Sequence, residues 1–181
     1  ESPYALSKYE DAVREVFRVP TPQQQFLVNI ETVTGLDKLP QMLDQIQPGK
    51  SCVGGIVFGR VDFVSSLQLG RNMVNDPQVT DQVCRAASAV TAAGLEFVVG
   101  GGVSADSIQA LNQVKNIGLS RFETRKIVFS ADSLNSHGIA DGLREAVRFE
   151  LAWLQHKRNM YLKIASEDEN RIKMLTERWG F

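Results

Sequence analysis

Glu31 and Asp62 are the residues of this chain best placed by type and spacing to do chemistry. Each carboxylate closes a short apolar run, Phe26-Leu27-Val28-Asn29-Ile30-Glu31 and Val53-Gly54-Gly55-Ile56-Val57-Phe58-Gly59-Arg60-Val61-Asp62. Such runs read as buried parallel strands, and the carboxyl end of a parallel strand is where α/β folds hold their reactive groups. An acid at that position costs several kcal/mol unless it is paired or coordinated, and two acids on neighbouring strands repel each other. A divalent cation relieves both penalties. Mg²⁺ or Mn²⁺ takes hard oxygen ligands, one or two of them carboxylates, and leaves other positions to water and substrate. Spacing alone is weak support, because any α/β protein carries an occasional acid at a strand end.

The elements that must position these acids alternate. Leu6, Tyr9, Val13, Val16 and Phe17 fall at helical spacing, and Pro20 and Pro22 stop that helix. A strand over 26–31 follows, then a helix carrying Leu36, Leu39, Met42, Leu43 and Ile46 that ends at Pro48-Gly49, then a strand over 53–58. Asp76-Pro77 combines an N-cap with the residue favoured at the first helical position, and Gly94 closes the helix it opens. Strands over 95–99 and 122–129 are expected, with a helix opened by Ser104-Ala105-Asp106-Ser107 between them. This alternation argues for a parallel α/β architecture.

From Asp141 to Trp179 the character changes. Val147, Leu151, Leu154, Tyr161, Ile172, Leu175 and Trp179 follow a four-three spacing interrupted by Arg158 and Asp168. Ser166-Glu167-Asp168-Glu169 matches a capping box, which predicts two helices divided near Ala165. A stripe of this kind packs on its own domain or on a neighbouring subunit; four strand-helix units leave little surface for both helices, which favours the neighbour. The chain is accordingly read as a site-bearing unit over 1–135 and C-terminal helices over 136–181.

Composition sets outer limits. The 181 residues carry a net charge of −1, so nothing favours nucleic acid or an anionic membrane, and no apolar run is long enough to span a bilayer. Cys52 and Cys84 read as small hydrophobes in a reducing, cytoplasmic protein rather than as a disulfide or metal cluster. His137 in a turn and His156 on a polar helix face have no acid or cysteine at ligand spacing. No Walker loop, nucleophile elbow or zinc motif is present.

Several local motifs occur together and in order: Asn29-Ile30-Glu31-Thr32, Phe58-Gly59-Arg60-Val61-Asp62-Phe63 followed by Ser65-Ser66-Leu67, Asp76-Pro77-Gln78-Val79, and Gly101-Gly102-Val103-Ser104. In this they resemble the class II pyruvate aldolase and citrate lyase β-subunit family over most of residues 1–115. The resemblance implies a TIM-type (β/α)8 barrel of the phosphoenolpyruvate/pyruvate type, of which this chain would be the C-terminal half with a helical extension. It implies that Glu31 and Asp62 hold Mg²⁺ or Mn²⁺. It also implies that the backbone of Gly59, Val61 and Asp62, with Ser65 and Gly102 nearby, binds the carboxylate of a 2-oxoacid or related acyl substrate during carbon-carbon cleavage or formation. The chain departs from the family in Ser66-Leu67-Gln68-Leu69-Gly70 and in the highly charged stretch from Arg121 to Phe129. The family's catalytic arginine lies on an early strand, whereas Glu1-Ser2-Pro3 resembles the end of a middle one, as if the first half of a barrel were lacking.

Three further side chains are candidates for catalysis. Arg60 adjoins the metal-site Asp and suits either substrate orientation or an exposed loop. Glu123 and Arg125 share one strand face, as a site pair or a structural ion pair. Gly100-Gly101-Gly102 before Ser104 suits a phosphate cradle or a tight strand-helix turn equally. Three functions follow in order of preference: a metal-dependent carbon-carbon lyase forming homo-oligomers through its C-terminal helices, a barrel enzyme for a phosphorylated substrate, and a non-catalytic assembly module.

Overall fold

The computed structural model describes residues 1–17, 26–46 and 51–180. Pro20, Pro22 and Pro48-Gly49, expected to end helices, lie outside these residues. In chain order the elements are α1 (Pro3–Phe17), β1 (Phe26–Ile30), α2 (Val33–Gln45), β2 (Val53–Gly59), α3 (Arg60–Ser66), α4 (Pro77–Ala92), β3 (Glu96–Gly100), α5 (Ile108–Lys115), β4 (Leu119–Glu123), β5 (Val128–Ser130) and α6 (Ile139–Trp179). Short 3₁₀ turns precede α4, α5 and α6.

Local chemistry accounts for the helix starts. Thr32 caps α2 by accepting a hydrogen bond from the Gly35 amide at 2.9 Å, and Asp76 caps α4 by accepting one from the Gln78 amide at 2.9 Å, with Pro77 at the first position. Gly94, at φ +74°, ends α4 as expected.

The five strands lie side by side in sequence order, β1-β2-β3-β4-β5. The first four are parallel. Side chains alternate across the sheet. Ile30, Ile56, Phe58, Phe97, Val99 and Phe122 enter the main hydrophobic core with Leu39, Val83 and Leu111 from the helices. Phe58 and Phe97 are fully buried, each contributing on the order of 2 kcal/mol through removal from water. The alternate set is partly polar and includes Asn29, Glu96, Arg121 and Glu123.

The expected half of a TIM-type (β/α)8 barrel is not what the chain forms: the sheet is open and mixed, because β5 runs antiparallel to β4. The stretch 122–129, read from sequence as one strand, is a hairpin. The Thr124 amide donates to the Ile127 carbonyl at 2.9 Å, and the Ile127 amide donates to the Thr124 hydroxyl at 3.2 Å, reversing the chain. A connection that short cannot make a parallel crossover, which needs a dozen residues or more. Phe129 then stacks on its cross-strand partner Phe122 with ring centroids 5.2 Å apart.

The division near Ala165 is also absent. α6 is one helix of 41 residues, roughly 60 Å long at 1.5 Å per residue. The capping-box pattern at Ser166 loses because no glycine or proline interrupts the chain there, and Lys163 and Glu167 support continuity from one side to the other at 4.0 Å. Ile139, Leu143 and Ala146 are the buried residues of α6, and residues 151–180 are exposed apart from half-buried Leu175. Among the described residues no helix is long and apolar enough to cross a membrane.

Candidate functional site

The carboxyl ends of β1–β4 bring four residues into one row. Gly59 is the register partner of Gly100. Glu31 lies one residue past the Ile30–Phe58 pair, and Glu123 one past the Val99–Phe122 pair. Two glutamates thus flank two glycines, and each lays its side chain over its glycine neighbour. A Cβ built on Gly59 would stand 2.8 Å from Glu31 Oε1, and one on Gly100 would stand 3.1 Å from Glu123 Oε1. The missing side chains are what let both carboxyl groups turn over the sheet.

Above this row is a cavity of about 420 Å³. Glu31, Asp62 and Glu123 line it, with Gly59, Val61, Gly100–Gly102 and the cations Arg71 and Arg125. Asp62 reaches it from the first turn of α3, which starts directly after β2 rather than after a separate loop. Asn29, two residues before Glu31 on the same strand face, donates from Nδ2 to Glu31 Oε1 at 2.9 Å and fixes that carboxylate. The Glu31 amide and the Thr32 hydroxyl both donate to the Glu1 carboxylate, tethering the β1–α2 connection.

Electrostatically the site is unbalanced. Among the described residues none of Glu31, Asp62 and Glu123 forms an ion pair. Burial raises the Glu123 carboxyl above its usual value, an effect that Arg121 partly opposes. Arg121 itself is paired with Glu96.

Arg60 does not line the cavity. It is 2% exposed, and its guanidinium donates to Asn75 Oδ1 at 2.9 Å, to Ser107 Oγ at 3.3 Å and to the Gly100 carbonyl at 3.4 Å. Burial pushes its pKa down to about 10. The chain therefore uses Arg60 as a brace between α3, the turn before α4 and the loop after β3. Ser65 is exposed and bonds back to its own helix, donating to the Val61 carbonyl at 3.0 Å, and is absent from the cavity wall. Gly102 is in the wall, at φ +65°.

Ser107 closes the short turn that leads into α5: it accepts from the Ser104 amide at 3.2 Å and donates to the Gly102 carbonyl at 3.4 Å. His137 and His156 are exposed, and Cys52 and Cys84 are half-buried free thiols whose pKa values burial raises. Sequence reading overlooked Arg71, Val147 and Glu150 in the wall. Arg71 carries no local signal; the turn that brings it back is decided by packing.

The donor set can be tested for a hard cation. Among the described residues no three Asp, Glu, His or Cys side chains form a group that could hold a metal. Glu31 and Asp62 are two of the four carboxylates lining the cavity, and two is a number Mg²⁺ takes when waters and substrate oxygens complete its shell. Glu31, fixed by Asn29 and free of ion pairs, and Asp62 on the same cavity suit that mode.

No protein-family model matches the chain, and no curated protein does. Five solved chains match it by fold. One is the crystal structure of RipC from Yersinia pestis, with a TM-score of 0.54 and 16% identity, covering 75% of this chain and 58% of that one. The chain thus spans less than two thirds of that neighbour's length, and at this identity the likeness speaks to the fold alone.

Proposed function

We propose that this chain carries the binding site of a metal-dependent carbon-carbon lyase or aldolase acting on a 2-oxoacid or related acyl compound. The observation that carries the reading is the convergence on one cavity of unpaired carboxylates and of two arginines. The acids suit a cation, and the arginines suit the carboxylate of a small anionic substrate. Glu31 and Asp62 would hold Mg²⁺ or Mn²⁺. When bound, such a cation supplies electrostatic stabilisation for negative charge developing on the 2-oxoacid oxygen. Arg125 and Arg71 orient the substrate carboxylate. Glu123, whose raised pKa keeps it closer to neutrality than an ordinary carboxylate, holds or releases a proton beside the reacting carbon. Copies of the chain associate through α6.

The test is thermal unfolding with Mn²⁺ and oxalate, a planar mimic of the enolised 2-oxoacid, compared with each alone. The expected result is a stabilisation that needs both components and is lost in Glu31→Ala and Asp62→Ala. Inorganic phosphate serves as a control, because Gly100–Gly102 and Arg125 line the same wall. Stabilisation by phosphate with no response to Mn²⁺ and oxalate would replace the lyase reading with a phosphate-binding one.

A further inference from the structure

The free part of α6 has a self-complementary pattern. Its apolar stripe repeats in sevens, with Leu151, Arg158, Ala165 and Ile172 in one series and Leu154, Tyr161, Asp168 and Leu175 in the other. Leu151, Leu154, Tyr161 and Ile172 are each more than half exposed. The two charges that interrupt the stripe, Arg158 and Asp168, lie at equal distances on either side of Lys163.

We propose that α6 pairs with α6 of a second copy of this chain, antiparallel, about a two-fold axis at Lys163. This register rests on the proposed self-association through α6 and specifies its geometry. Arg158 then faces the partner's Asp168, and Asp168 faces the partner's Arg158. Leu154 meets the partner's Ile172, Leu151 meets the partner's Leu175, and Tyr161 meets the partner's Ala165. Every layer joins one series to the other, as an antiparallel helix pair requires, over roughly three and a half heptads, a length that sustains a helix pair. An isologous interface of this kind closes at two copies.

The alternatives are worse on charge alone. A parallel pair sets Arg158 against Arg158 and Asp168 against Asp168, and like charges facing each other repel. An antiparallel pair slipped by one heptad sets each charge against an apolar side chain, leaving it buried without a partner, which is more costly than a matched ion pair. Buried ion pairs of this type add little net stability but do specify register. Close to the axis, exposed Leu162 and Ile164 widen the apolar contact on both flanks. Lys157 and the partner's Arg171 are like charges at the rim, where solvent screens them.

The test uses sedimentation equilibrium of the full chain and of Arg158→Asp, Asp168→Arg and the double exchange, with helix content followed by circular dichroism. The wild type is expected to dimerise. Each single reversal weakens the dimer at least tenfold, and the double exchange restores it to within about threefold of wild type. In a second variant, Leu154→Cys with Ile172→Cys, oxidation is expected to yield a covalent dimer whose cross-linked peptide joins position 154 to position 172. Links of 154 to 154 would overturn the antiparallel register, as would single reversals that leave the dimer intact or a double exchange that fails to rescue. A wild-type chain monomeric at every concentration would sink the self-association as well, whereas a dimer without charge rescue would sink only the register.

Discussion

A Cβ placed on Gly59 would meet Glu31 at 2.7 Å from Cγ and 2.8 Å from Oε1. The two residues occupy adjacent strands, and the glutamate side chain fills the volume that the glycine leaves empty. Gly59→Ala therefore displaces the Glu31 carboxylate with little harm to the core, since a flexible side chain is what has to yield. The expected outcome is a melting temperature within a few degrees of wild type and at least a tenfold loss of Mn²⁺ affinity, measured in the presence of oxalate. Undiminished affinity would remove Glu31 from the ligand set.

Arg60→Met keeps much of the apolar stem and removes the guanidinium. Asn75, Ser107 and the Gly100 carbonyl then lose their donor inside the fold. Relief of the desolvated charge offsets part of that loss, so we expect a net destabilisation of about 2 kcal/mol by urea unfolding. Oxalate-dependent stabilisation persists in the variant at temperatures where it is folded. A variant of wild-type stability that no longer responds to oxalate would instead mean that Arg60 acts on the substrate.

Glu123 offers a pH signature. Its folded pKa is raised above the ordinary value of 4.5, so folding favours its protonated form. That contribution is complete below about pH 4.5 and is lost as pH rises through the folded value. Glu123→Gln remains neutral throughout. Urea midpoints measured from pH 4 to pH 8 should therefore show the variant gaining on wild type as pH rises. The opposite slope would mean that attraction to Arg121 outweighs burial in setting this carboxyl.

Gly101 and Gly94 separate two costs of adding a side chain. Both have positive φ, +81° and +74°. A Cβ on Gly94 meets nothing within 4 Å, whereas one on Gly101 lies 2.7 Å from the Val61 amide nitrogen and 2.9 Å from that of Arg60. Gly94→Ala should cost about 1 kcal/mol from backbone strain alone. Gly101→Ala should cost at least about 2 kcal/mol and loosen the cavity wall, because backbone rather than side chain must move. Equal midpoints for the two variants in urea would refute the tight packing of the β3–α5 loop against the start of α3.

By itself, the sequence determined what depends on near neighbours along the chain. The Asp76 cap, the glycine that ends α4, the strands leading to Glu31 and Asp62, and the exposed histidines all follow from local residue types and hydrophobic period. Tertiary structure decided what depends on residues distant in sequence. Arg60 stands beside a site acid in the chain yet is drawn inward, because Asn75 and Ser107 supply acceptors there that no local pattern announces. The strand expected over 122–129 became a hairpin because Thr124 and Ile127 close a turn and Phe129 stacks back on Phe122, which made the sheet open and mixed instead of the expected barrel half. The register of β2 against β3 placed Gly59 beside Gly100, and only that pairing set the Glu31 and Glu123 carboxylates over one cavity. Hydrogen-bond register and long-range packing are properties of strands that meet in space, so neither is written in the local spacing of either run.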